Sequence, residues 1–379
     1  MRSGRIIDDA LNLSGQRHYA NDSFREGLDV LVQALDDCKL ASTAGRLSLQ
    51  RQMTGYLANR FAIERYLQEH PALQREPVES PTFVLGMPRT GTTLMVNLLS
   101  QDPAVRTLRK WEANFPVPPA KAGELATDPR CIAANEERRA ELAAGKLKAN
   151  IHFEWYDEPT ECVYLMAQDF KSTSWDALLP LPAYSEFLLS CDARPMYQWH
   201  RRVLQHLQEN NRGRWTLKAP GHALFARALL DVYPDARLIW MHRDPREAVA
   251  SLASLIAGVH RRFAPEPDHE WIRNFYPRQL AEHVNRMLKV ERDHPHRVFH
   301  VMFDHVDTDA VGTMEKLYAD MGIQLTPCMR ALLVDWSATH PRHQHGRHDY
   351  DLDRFGISPA RIETLFADYT DRLRQLRLH

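Results

Sequence analysis

Two short stretches of the chain carry residue types that could hold anions. The first is Gly86-Met87-Pro88-Arg89-Thr90-Gly91-Thr92-Thr93. Its paired glycines followed by hydroxyl residues have the spacing of a phosphate-binding loop. Glycine lets successive N–H groups turn toward one point, and the open N–H groups of a following helix add partial positive charge. Thr92 and Thr93 offer hydroxyl donors. Where such loops usually carry a lysine after the second glycine this one has Thr92, and its cation stands at Arg89. The second stretch is Arg243-Asp244-Pro245, with Ser251 beyond it. Asp244 suits a helix N-cap and Pro245 the first helical position. Ser251 returns to the same side of that helix after about two turns. Arg243, leaving a strand, and Ser251 could therefore grip one phosphate together. Lys218, in Trp215-Thr216-Leu217-Lys218-Ala219-Pro220-Gly221-His222, ends a third expected strand. Parallel-sheet enzymes place their sites at such ends.

These positions require a strand before each turn and a helix after it. Thr82–Leu85 reads as a strand, and Leu94, Met95, Leu98 and Leu99 recur at helical spacing behind it. A further strand is expected near Val105–Leu108. Strand Trp215–Lys218 precedes a helix with Leu224, Phe225, Ala228 and Leu229. Strand Arg237–Met241 precedes a helix from about Pro245, and Val298–Phe303 precedes one across 307–321. Strands alternating with helices predict an α/β fold: a phosphate-loop-like parallel sheet flanked by helices. Residues 1–80 read as a helical extension, in which the helix over Leu47–Leu67 stops at His70-Pro71. Residues 81–379 read as the α/β domain. Within it, 115–210, with proline turns at Pro116, Pro118 and Pro119, reads as a helical cap. A last helix opens at Ser358-Pro359, with Ile362, Leu365, Phe366, Tyr369, Leu373 and Leu376 on one stripe.

Composition narrows the function classes. A formal net charge of −1 over 379 residues argues against nucleic acid or anionic lipid as a general partner. The five cysteines include no CxxC pair, so neither a zinc site nor a disulfide framework is suggested. The opening MRSGRIIDDALNLSGQ lacks the apolar core of a signal peptide, and no window approaches a membrane span. The expectation is a cytoplasmic setting.

PTFVLGMPRTGTTLMVNLL resembles the 5′-phosphosulfate loop of the sulfotransferases that use 3′-phosphoadenosine 5′-phosphosulfate (PAPS), closest to the bacterial-type branch with PRSGTT loops. Arg243 and Ser251 match the arginine and serine with which that family holds the 3′-phosphate. VFHVMFDHVDTD resembles its late strand-helix unit at the level of fold. The resemblance implies sulfonate transfer from PAPS to an acceptor hydroxyl, such as that of a lipid, sugar or phenol, with release of PAP and no metal requirement. It puts Pro88, Arg89, Thr90, Gly91, Thr92, Thr93, Arg243 and Ser251 on the nucleotide, and Lys218 near the transferred group. A basic loop near the C-terminus closes over the nucleotide in related enzymes, which makes Arg347 a fringe candidate. For the base, some branches use a glutamate after the second strand, where Glu112 stands. The aryl branch uses a histidine two residues beyond the strand-end lysine. Pro220 occupies that place here, and the histidine follows at His222. Glu112 ranks first and His222 second, while His152, Glu158 and Glu161 follow as residues that could orient the acceptor. Two other readings stay open: a phosphate-loop kinase for a small molecule, and a catalytically silent nucleotide-binding protein.

Overall fold

The computed structural model describes residues 1–145, 153–340 and 352–378. They divide into two compact units. One comprises Met1–Val78, Leu108–Gly213 and Val259–Glu266; the other comprises Glu79–Thr107, Arg214–Gly258 and Pro267–His379.

The second unit is built on five parallel strands: β1 (Thr82–Gly86), β2 (Val105–Arg106), β3 (Arg214–Lys218), β4 (Arg237–His242) and β5 (Val298–Met302). Their order is β2-β3-β1-β4-β5. The chain thus leaves β1 toward one edge and later crosses to its other side, which makes the C-terminal end of β1 a topological switch point. Side chains alternate across the sheet. On one face Val84, Ile239, Met241 and Val301 pack with Met95, Leu98, Met314, Leu317 and Leu333 from helices. On the other, Trp240 and His242 stack on Tyr369. Near-continuous buried runs in β1 and β4 are what a parallel sheet covered on both faces demands.

Several elements depart from the sequence expectation. β5 ends at Met302, and Phe303 opens a short helix, Phe303–Thr308. The helix expected across 307–321 is therefore two, because Asp309 leaves helical geometry and caps Ala310–Asp320 by accepting from the Gly312 N–H at 2.9 Å. The C-terminal helix likewise breaks at Phe366 into Pro359–Leu365 and Ala367–Arg377, although Ile362, Phe366, Tyr369 and Leu373 keep their buried stripe. The stretch after β3 begins as a 3-10 turn, Pro220–Phe225, before Ala226–Val232 becomes α-helical. The 25-residue helix His269–Asp293 has no counterpart among the expected elements.

The first unit is helical. Its longest helix, Thr43–Glu69, starts on Ser42, whose hydroxyl accepts from the Gly45 N–H at 3.0 Å, and stops before Pro71. Arg60 of this helix is wholly buried and bonds Asp169 at 3.1 Å and Asn21 at 2.7 Å. Among the described residues, no helix is long and apolar enough to cross a membrane.

Candidate functional site

The loop after β1 has the conformation its composition suggests. Gly86 (φ 145°) and Gly91 (φ 87°) both occupy backbone regions that side chains disfavour. A Cβ on Gly86 would also meet the Met241 carbonyl oxygen at 2.6 Å. Thr90 is buried and its hydroxyl donates to the Met87 carbonyl at 2.8 Å, pinning the turn from inside. The helix Thr92–Leu99 then starts directly on Gly91, so its first N–H groups open toward the loop. Arg89 sits in this turn at φ 71°, a left-handed conformation that costs a non-glycine residue about 1–3 kcal/mol.

Register brings the other candidates to the same edge. Val84 pairs with Lys218 and Gly86 with Met241, so the ends of β3 and β4 flank the end of β1. Lys218 is fully buried, and its Nζ donates to Thr93 Oγ1 at 3.2 Å. Beyond β4, Asp244 caps the helix Pro245–His260 by accepting from the Arg246 N–H at 2.8 Å. Ser251 on that helix is buried and accepts from Arg89 Nε at 2.9 Å. Arg243 Nη1 donates to the Arg89 carbonyl at 3.0 Å. The two candidate anion cradles are thus tied to each other through Arg89, which touches both members of the second.

Behind Arg243 lies a polar chain in the core. His242 Nδ1 is 3.1 Å from the Tyr369 hydroxyl and its Nε2 is 3.0 Å from His300 Nδ1. Burial, and then the neighbouring His300, hold His242 well below its ordinary pKa, so it adds no charge beside Arg243 at neutral pH. Burial pushes the Tyr369 phenol up, which keeps it a donor. Two further residues of this neighbourhood are absent from the sequence-based candidates. Glu247 accepts from Arg243 Nε at 2.8 Å, a pairing for which the i, i+4 spacing is a signal. Phe303 lies under the Arg243 guanidinium, 4.7 Å from ring centre to carbon, and no motif marks it.

A family model described as the sulfotransferase family matches residues 81–327. The chain belongs to the sulfotransferase family. This sulfotransferase is 35% identical to sulfotransferase STF9 from Mycobacterium avium, with a TM-score of 0.92 over 97% of this chain and 96% of that one. Against sulfotransferase STF1 from Mycobacterium tuberculosis the identity is 25% and the TM-score 0.87, over 97% of this chain and 99% of the other. It is also 21% identical to the omega-hydroxy-beta-dihydromenaquinone-9 sulfotransferase Stf3 of Mycobacterium bovis, over 74% of this chain and 72% of that protein.

The remaining candidates of this sulfotransferase lie on other elements or outside the described residues. His222 is fully buried, its ring edge-on to Phe83 at 5.0 Å, beside the second residue of β1. In the helical unit Glu112 is buried and accepts the Arg109 N–H at 3.1 Å, as the third residue of the helix Lys110–Asn114. The segment carrying Glu158 runs alongside: Lys110 N donates to the Glu158 carbonyl at 3.1 Å and Trp111 N to that of Tyr156 at 2.9 Å. The Glu158 carboxylate itself turns back to accept from the Trp155 N–H at 2.7 Å. Glu161 is part-buried in the same segment. Lys110 Nζ reaches Glu154 at 3.1 Å and the Tyr164 hydroxyl at 3.4 Å, two partners that no motif marks. His152 and Arg347 lie outside the described residues.

Proposed function

We propose that the protein transfers the sulfonate group of PAPS to a hydroxyl of a small acceptor. The acceptor oxygen forms the new S–O bond while the bond from sulfur to the 5′-phosphate oxygen breaks. The acceptor proton passes to a base, and PAP leaves with the bridging electrons. The single observation that carries this reading is the tie through Arg89: its side chain bonds Ser251 and its carbonyl accepts from Arg243. Two cradles joined in this way suit one nucleotide with an anion at each end.

The chain's own groups fit the demands of such a reaction. Charge grows on the departing 5′-phosphate, and fixed donors there contribute most when they need no rearrangement. The Gly86–Gly91 backbone, the helix start at Thr92, Arg89 and buried Lys218 are such donors. Arg243 and Ser251 serve the 3′-phosphate. Glu112 is our first assignment for the base and His222 the second, with His152, Glu158 and Glu161 as acceptor-orienting residues and Arg347 as a late contact to the nucleotide. A cytoplasmic setting goes with this reading. The Mycobacterium bovis relative is named for a hydroxylated menaquinone. A lipid alcohol accordingly heads the acceptors to be tried, before sugars and phenols.

Thermal unfolding with PAP in the absence of magnesium tests the reading. At a hundredfold excess over its dissociation constant PAP should stabilise the protein by about 2.7 kcal/mol. Stabilisation by ATP with magnesium and none by PAP would transfer the protein to the kinases. Turnover of PAPS with any hydroxylated acceptor excludes a silent nucleotide binder.

A further inference from the structure

The strand β5 contributes to the site through the residue that follows it. Register pairs His242 with Met302. The next residue of each strand, Arg243 and Phe303, therefore leaves the sheet beside the other. The Arg243 guanidinium carbon stands 4.7 Å from the centre of the Phe303 ring, within the range of a cation held over an aromatic face. The edge of the same ring abuts the first loop. A Cβ added to Gly91 would come within 2.4 Å of Phe303 Cδ2 and 2.9 Å of Cε2. The ring thus fills the gap between the phosphate loop and the arginine of the second cradle.

We propose that Phe303 is a positioning residue that gives the site its preference for a 3′-phosphorylated nucleotide. The proposal deepens the PAPS reading and rests on it. Of these two neighbours, Gly91 belongs to a turn fixed by its own hydrogen bonds: Met95 N to the Gly91 carbonyl at 3.0 Å and Thr90 Oγ1 to the Met87 carbonyl at 2.8 Å. Arg243 is a long side chain with several torsions, and its competing partner is the half-exposed Glu247, 2.7 Å from Nη2. The aromatic face beneath the guanidinium limits how far it can follow Glu247 and leaves Nη1 on the Arg89 carbonyl. Loss of the ring should therefore be felt at the 3′ end of the nucleotide more than at the 5′ end.

Calorimetric titration of the full chain with PAP and with adenosine 5′-monophosphate, which lacks the 3′-phosphate, tests this. Phe303→Leu keeps apolar bulk against Gly91 without an aromatic face, and Phe303→Tyr keeps the face. Phe303→Leu should weaken PAP about tenfold, within the span of cation–aromatic contacts, and change the monophosphate by less than about twofold. Phe303→Tyr should retain the wild-type ratio of the two affinities. In an Arg243→Ala background, Phe303→Leu should cost less than about twofold for PAP, since coupled residues are not additive. Equal weakening of both nucleotides, unchanged PAP affinity, or an undiminished loss in the Arg243→Ala background would each overturn the proposal. Failure of the wild-type protein to bind PAP would overturn the functional reading itself, and this inference with it.

Discussion

Buried and half-buried cations occur in both units, and they differ in where they stand on the backbone. Arg60 of the helical unit projects from the middle of a long helix into a nest of Asp169, Asn21 and Ser23, with Glu64 at 3.7 Å and the Trp199 ring beneath it. Breaking such a buried pair is costly, so its charge is committed to holding the fold. Lys218, Arg89 and Arg243 stand instead at or just past the ends of parallel strands, with bonds to Thr93, Ser251 and a main-chain carbonyl. Their position is set by sheet register, and the start of a helix faces them. A cation inside a helix bundle is read from its partners, and a cation at a strand end from the element it terminates.

If this contrast is sound, variants in the two units should separate acceptor chemistry from nucleotide binding. The largest effect is expected from Glu112→Gln. It should lower turnover about 10²–10⁴-fold while PAP affinity stays normal, as for loss of a general base. Near-full turnover in steady-state assays would remove Glu112 from that role and pass it to His222. Lys218→Met should lower turnover at saturating PAPS about 10²–10³-fold, the usual loss for one donor to developing charge. A loss confined to PAP affinity, seen by calorimetry, would place Lys218 on the ground state alone. Arg243→Ala should weaken PAP by about 1.5–3 kcal/mol, the range for hydrogen bonds to charged groups, whichever acceptor is used. Unchanged affinity would break the assignment of the second cradle.

The last test concerns pH, and here the two units should behave alike. Burial lowers His200 to about 3 and His206 to about 4 in the helical unit. It lowers His283 to about 4, and His242 well below its ordinary value, in the other. A histidine depressed on folding binds its proton more readily in the unfolded chain. Its stability is therefore fully present above about pH 6.5 and falls by up to about 1.4 kcal/mol per pH unit below that, down to the folded value. Melting followed from about pH 7 to about pH 4.5 should show both units losing stability in the same window. Glu291 acts lower: burial alone would raise it, yet bonds from His300 and Arg372 hold it at about 2, so its contribution is lost only below about pH 4.5. A melting temperature flat between about pH 7 and about pH 5 would contradict the histidine account.

The legible parts of the molecule are those in which main-chain geometry restricts residue type. Gly86, Gly91, Asp244 and Pro245 each answer a backbone requirement, and so the two cradles and most of the sheet can be read from the order of the amino acids. The strand-end cluster of Arg89, Thr93, Lys218, Arg243 and Ser251 follows from them. Phe303 is not legible, because a phenylalanine just past the end of a strand satisfies packing equally well without a neighbouring guanidinium. Its height beside Arg243 is a matter of register, which joins residues about sixty apart. The breaks at Asp309 and Phe366 escape a sequence reading for a related reason: apolar spacing continues across both, while the chain turns. The helical unit offers least, since Lys110 and Glu154 meet through a loop pairing for which no local signal exists.

Arg89 holds a backbone angle at which glycine would rest without strain. Lineages of this protein selected for heat resistance alone should drift toward glycine at that position, becoming sturdier as they lose the charge we assign to the departing phosphate. On that assignment durability and turnover pull against each other at a single torsion, and the arginine marks the side on which selection has come down.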